Sequence, residues 1–230
     1  MSELVHVRVA ARFNGPPDSG NGGYTAGRIA RAIGVPVQVR LLRPIPLERD
    51  LEIAETDRGW GIRDDEGLVA TAIAHVVETQ VPMPPSRVEA LEASQRYAGF
   101  AHHDFPHCFV CGPQRADGLR IFAGTVSGST CFAAPWRPDA SLADVAGVVQ
   151  PEFVWAALDC PGYFASCAPT IALLGEMSAH IDRVPALDEP CVVTGWSIDQ
   201  NGRRHRAGTA LFGADGARCA FAVSTWITLK

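Results

Sequence analysis

Along the first 80 residues, apolar and polar positions alternate in short bursts, interrupted by one longer helical pattern. "LVHVRVA" (4–10) puts Val5, Val7 and Val9 at every second position, the period of a strand with one buried face. "FNGPPDSGNGGYTAG" (13–27) then packs five glycines and two prolines into a loop. That loop runs straight into "YTAGRIARAI" (24–33), where small and apolar residues recur at helical spacing. "VPVQVRLLRP", "DLEIAETD", "RGWGIRDD" and "GLVATAIAHVVE" predict four strands, with turns at 44–46, 57–59 and 64–67.

The pattern breaks at "VPMPPS" (81–86), a linker signal, and "RVEALEASQRYAGF" (87–100) predicts a short crossing helix. After residue 105 the rhythm resumes. "GLRIFAG" (118–124) and "GSTCFAAPW" (128–136) predict strands, and "PEFVWAALDCPGYFASC" (151–167) predicts one helix opened by Pro151. "LLGEMSAHIDRVP", "EPCVVTGWSID", "RRHRAGTALFGAD" and "ARCAFAVSTWITL" predict four more strands.

The order strand, helix, four strands therefore occurs twice. Arg43, Leu47, Glu48 and Leu51 fall on Arg183, Leu187, Asp188 and Cys191 at a constant offset of 140 positions. The expected organisation is an N-terminal unit over 1–80, a linker over 81–105 and a C-terminal unit over 106–230. A single antiparallel sheet with one helix leaves an apolar face uncovered, so the two α+β units are expected to pack as a pseudo-dimer.

Composition narrows the function classes. Apolar residues make up 47% and charged residues 20%, which suits a globular chain with a substantial core. The net charge of −5 implies no dominant basic face and argues against broad nucleic-acid binding. No apolar run approaches the ~20 residues of a membrane span, and "MSELVHVRVA" lacks the basic start and apolar core of a secretion signal. Seven cysteines, an odd number, suit a reducing compartment better than a disulfide framework, so a cytoplasmic location is expected.

Backbone N–H groups at a glycine-rich helix N-terminus can hold a negatively charged oxygen. With that chemistry in view, the element order and the segment "HCFVCGPQRADGLRIF" (107–122) resemble the hotdog-fold acyl-CoA thioesterases, in the phenylacetyl-CoA thioesterase-like branch. The resemblance covers nearly the whole chain as two tandem units and implies a double hotdog, each unit an antiparallel sheet wrapped round a central helix. It also implies an acyl-CoA or related acyl thioester as substrate and no cofactor. In that branch the helix opens with His-Gly-Gly, a catalytic carboxylate lies nine positions after the His, and the glycine N–H and carboxylate of one site come from different subunits.

Carried over, the motif is split between the halves. Asn21, Gly22 and Gly23 stand at the His-Gly-Gly positions of the first half, but Ala30 stands at the acid position. In the second half Gln150, Pro151 and Glu152 replace His-Gly-Gly, and the acid is Asp159. The half-motifs are complementary, so the resemblance implies one composite site. Gly22 would supply its N–H to the developing oxyanion, and Asp159 would act as general base or as nucleophile. The alternative for Asp159 is the cap of a second helical segment opened by Pro161.

Asn21 is read either as a substrate-orienting residue or as a helix cap, and Gly23 and Gln150 join the candidate binding residues. Asn14 is a weaker candidate, as a turn former. Arg204 lies in "NGRRHRAG" (201–208), after an Asn-Gly turn, where it could meet coenzyme A phosphates or simply sit on a solvated hairpin. Cys108 and Cys111 have zinc-knuckle spacing, but His102, His103 and His107 make cramped partners, so no metal is expected. Cys160 lacks a histidine at a defensible spacing and is read as packing. Two rival functions stand beside hydrolysis: a non-catalytic acyl-CoA-binding hotdog protein, and a hydratase or dehydratase, disfavoured because neither helix contains a histidine. Homo-oligomerisation is left open.

Overall fold

The computed structural model describes residues 5–229 of the 230. The first half contains β1 (Val5–Arg8), α1 (Gly22–Ile33), β2 (Val37–Leu41), β3 (Asp50–Thr56), β4 (Gly59–Asp64) and β5 (Gly67–Ala74). After α2 (Arg87–Ser94) come β6 (Gly124–Thr125), β7 (Phe132–Trp136), α3 (Pro151–Ala157), α4 (Cys160–Ser166), β8 (Ala172–Ile181), β9 (Cys191–Asn201), β10 (Arg204–Phe212) and β11 (Arg218–Thr228). All the strands join one antiparallel sheet in the order β1-β3-β4-β5-β2-β8-β11-β10-β9-β7-β6. This is the α+β double hotdog that the resemblance implies.

The halves meet edge to edge at β2 and β8, through the pairs Gln38–Ser178, Val39–Met177 and Arg40–Glu176. Gln38 and Ser178 are equivalent positions under the 140-residue offset, and they face each other. A two-fold axis requires this of the residue pair it passes through. Val39 and Met177 beside it are completely buried, and each such side chain contributes roughly 1.5–3 kcal/mol through burial. The offset also holds in backbone detail. Glu48 and Asp188, which it pairs, are two of the three non-glycine residues with positive φ among the described residues, at 57° and 58°.

α1 and α3 lie side by side under this junction, within one core that spans both halves. Their close approach depends on small residues. A Cβ on Gly23 would lie 2.6 Å from Asp159 Cβ, and one on Gly27 would lie 2.8 Å from Glu152 Cα. The loop before α1 folds back on the helix, with Phe13 stacked on Tyr24 at a centroid distance of 4.2 Å.

Two elements differ from the sequence reading. The strand expected over 118–124 shrinks to its last residue and the one after it, β6. Leu119 and Ile121 instead donate their N–H groups to the carbonyls of Phe109 and Val110, so this segment pairs with the cysteine loop before it joins the sheet. The single helix expected over 151–167 is two. Pro161 has no N–H to donate, and its ring would clash with the carbonyl four residues back, at Ala157, where α3 ends. Asp159 occupies the break, with φ −79° and ψ −82°.

A candidate active site at the helix break

The break turns Asp159 toward the N-terminus of α1. Its Oδ2 accepts hydrogen bonds from Asn21 Nδ2 at 2.8 Å and from the Gly23 N–H at 3.1 Å. Asn21 is held in turn: its Oδ1 accepts the Tyr24 N–H at 2.9 Å, capping α1. One amide side chain thus both closes the helix end and grips the carboxylate. Asp159 does not cap α4 with its side chain.

Asp159 is 2% exposed. Burial pushes its pKa up to about 7, against the opposing pull of the Gly23 hydrogen bond; Cys108 adds to the rise and Asn21 opposes it. Its second oxygen, Oδ1, is buried without a hydrogen-bond partner among the described residues. An unpaired buried acceptor of this kind costs about 1–3 kcal/mol.

Gly22 is the first residue of α1, and among the described residues no acceptor meets its N–H, as expected of a first-turn group. Asn21, Gly22 and Asp159 all line a cavity of about 630 Å³. The wall beyond them is largely apolar, with Tyr163, Phe164, Leu174, Trp226 and Ile227. A Cβ on Gly22 would lie 2.7 Å from Leu174 Cδ2, so the absence of a side chain there keeps the helix end against the wall.

The other sequence candidates lie elsewhere. Gly23 does not line the cavity; its N–H goes to Asp159. Asn14 is buried in the loop, donating to the Gly15 and Pro16 carbonyls and accepting from Arg115 at 2.6 Å. Gln150 precedes α3 and donates to the Val148 carbonyl. Arg204 is exposed on β10 and pairs with Glu176 at 2.7 Å.

At the pseudo-equivalent position, Ala30 offers no acid and Glu152 stands where Gly23 stands in the first half. Glu152 is 4% exposed and its carboxylate accepts from Arg31 at 3.0 Å, with Arg28 at 3.8 Å. An ion pair occupies the twin site.

One grouping escaped the sequence reading. Cys160, at the start of α4, brings its thiol to Cys108 and Cys111, and the three Sγ atoms all lie within 4.8 Å of one another on the cavity wall. Spacing in the chain holds no sign of this, because the break at Pro161 sets where Cys160 points.

Fold and site define a double-hotdog protein with a buried carboxylate at the contact of its two central helices. The same architecture over the whole chain appears in a tesB protein from Mycobacterium avium subsp. paratuberculosis, with TM-score 0.64, 16% identity and coverage of 99% of this chain and 96% of that one. A protein of unknown function with a hot dog fold from Alicyclobacillus acidocaldarius matches with TM-score 0.61 and 13% identity, covering 100% of this chain and 94% of that one. A proposed thioesterase from Novosphingobium aromaticivorans matches over 100% of both chains, with TM-score 0.58 and 13% identity. No protein-family model matches the sequence, and no curated protein does. No helix among the described residues is long and apolar enough to cross a membrane.

Proposed function

We propose that this protein hydrolyses an acyl thioester, of coenzyme A or a related carrier, at one composite site. The observation that carries the reading is the Asp159 carboxylate, buried at the helix break and held through one oxygen by Asn21 and Gly23, with its other oxygen unpaired. Beside it the unpaired Gly22 N–H opens α1 on the same cavity. In hydrolysis the thioester carbonyl oxygen gathers negative charge as water or the carboxylate attacks carbon, and a helix-terminal N–H stabilises that charge. Asp159 then either takes a proton from the attacking water or attacks directly to form an anhydride, which water hydrolyses. The thiol leaves with a proton and the acid is released. The apolar wall suits an acyl group, and the known hotdog thioesterases lend the reaction class by resemblance.

Asp159→Asn keeps the size and one acceptor oxygen while removing the base or nucleophile. Assayed by thiol release over a panel of acyl-CoAs, the variant is expected to lose at least about a hundredfold in kcat, the low end of general-base contributions. Wild-type turnover with a variant of unchanged kcat would sink the assignment. No turnover by wild-type protein on the whole panel, together with saturable acyl-CoA binding, would favour the non-catalytic reading.

A further inference from the structure

Cys108, Cys111 and Cys160 are buried, and the mechanism uses none of them. Cys108 and Cys111 come from one turn, buried beside the cavity. Gly112 closes the turn by donating its N–H to the Cys108 carbonyl at 2.9 Å, and a Cβ there would lie 2.6 Å from Cys108 N. Tyr97 pins the Cys111 carbonyl from outside at 2.8 Å. The third sulfur arrives from the other side of the cavity wall, with Cys160 Sγ 3.9 Å from Cys108 Sγ. Zinc–sulfur bonds of about 2.3 Å at tetrahedral angles separate their sulfurs by about 3.8 Å.

We infer that these three cysteines form a zinc site, a three-thiolate cradle whose fourth position opens on the cavity. Sequence alone pointed away from metal, because only the neighbouring histidines were available to complete the Cys-x-x-Cys pair. The residue that completes it is Cys160. His103 is close, with Nε2 3.3 Å from Cys111 Sγ, but its Nδ1 accepts the Phe105 N–H at 3.0 Å. With Nδ1 occupied as an acceptor, the ring proton lies on Nε2 and is donated to Cys111, so His103 braces that sulfur without ligating metal. The fourth position is left to water or to an atom of the cavity's ligand. Each thiol that ligates gives up its S–H proton to solvent as its sulfur–zinc bond forms. Because Cys160 adjoins Asp159, the ion would tie the cysteine turn to the helix break that presents the carboxylate.

The test is metal content, measured on the full chain purified without chelator. About one zinc per chain is expected. X-ray absorption should fit three sulfurs at about 2.3 Å and one lighter donor at about 2.0–2.2 Å. Cobalt(II) titrated into metal-free protein should give thiolate-to-cobalt charge-transfer and tetrahedral visible bands that saturate at one equivalent, a readout that needs no substitution. Cys108→Ser, Cys111→Ser and Cys160→Ser should each lose these bands while circular dichroism stays native, and Cys131→Ser should keep them. His103→Gln should also keep the metal. Absence of the cobalt bands, fewer than three sulfurs, or full metal content in Cys160→Ser would overturn the site. Loss of metal in His103→Gln would overturn its open fourth position.

Discussion

Gly23 and Gly27 allow packing and site geometry to be separated by experiment. Both lie on the α1 face against α3, one turn apart, and neither has room for a methyl group. In Gly27→Ala the new Cβ meets Glu152 Cα and Trp155 Cβ, both at 2.8 Å. In Gly23→Ala it meets Asp159 Cβ at 2.6 Å and the Trp155 carbonyl oxygen at 2.8 Å. Ordinary carbon contacts begin near 3.4 Å, so each variant forces the helices apart by several tenths of an ångström. Overpacking of this kind costs about 1–3 kcal/mol. The better helix propensity of alanine returns at most about 1 kcal/mol.

With that gain subtracted, the net loss is up to about 2 kcal/mol for both variants, or a fall in Tm of up to about 8 °C in a chain of this size. Activity should divide them. Gly23→Ala pushes directly on Asp159 and strains its hydrogen bond from the Gly23 N–H, an interaction with a charged group worth about 1.5–3 kcal/mol. At about 1.4 kcal/mol per factor of ten, kcat should fall about ten- to a hundredfold. Gly27→Ala should stay within a few-fold of wild type. Denaturant unfolding and thiol-release kinetics on the two purified variants make the comparison. Equal activity losses at equal stability, or a fully stable and active Gly23→Ala, would refute the claim that this contact sets the carboxylate.

Ala30→Asp in the Asp159→Asn background should restore no activity, because Pro151 has no N–H to offer opposite it; recovered thiol release would show the twin site to be alive. The same substitution in the wild-type chain puts a carboxylate on a position packed against the core and should lower Tm. Glu189 gives an acid-pH test. Arg183, at 2.7 Å and 2.9 Å, together with the Ala186 and Ala214 N–H groups, holds its pKa down at about 2. A depressed carboxyl stabilises the fold fully above its unfolded value near 4.5 and loses that contribution as pH falls toward 2. Glu189→Gln should therefore be less stable than wild type at pH 6 and converge on it near pH 2, and parallel stability curves over that range would contradict the assignment.

The repeat was legible in the sequence because strands and helices announce themselves by period, and two halves with one order of elements repeat that announcement. Asp159 was legible as a charge in an apolar helix, nine positions after a degenerate motif. The grip of Asn21 on it was not, since a residue's cap role and a contact to a position 138 residues away leave the same single letter in the chain. The segment at 118–124 misled because alternation reports one buried face and not what buries it; Leu119 and Ile121 pack on the cysteine loop. Helix periodicity ran through Pro161 because the apolar face continues on both sides of the break, and the cysteine cluster vanished from view with it.

The pairing of Gln38 with Ser178 has a consequence for how the molecule behaves in dilute solution. Where two identical subunits share a site, that site exists only as long as the subunits associate, and it disappears by mass action when the protein is dilute. Here both sides of the β2–β8 seam, and both helices that hold Asp159 and Gly22, belong to one covalent chain. Their effective concentration is fixed by the chain between them and not by the solution. Turnover per chain should therefore stay constant down to the lowest protein concentration an assay can follow, and a fall in specific activity on dilution would mean that a second chain takes part.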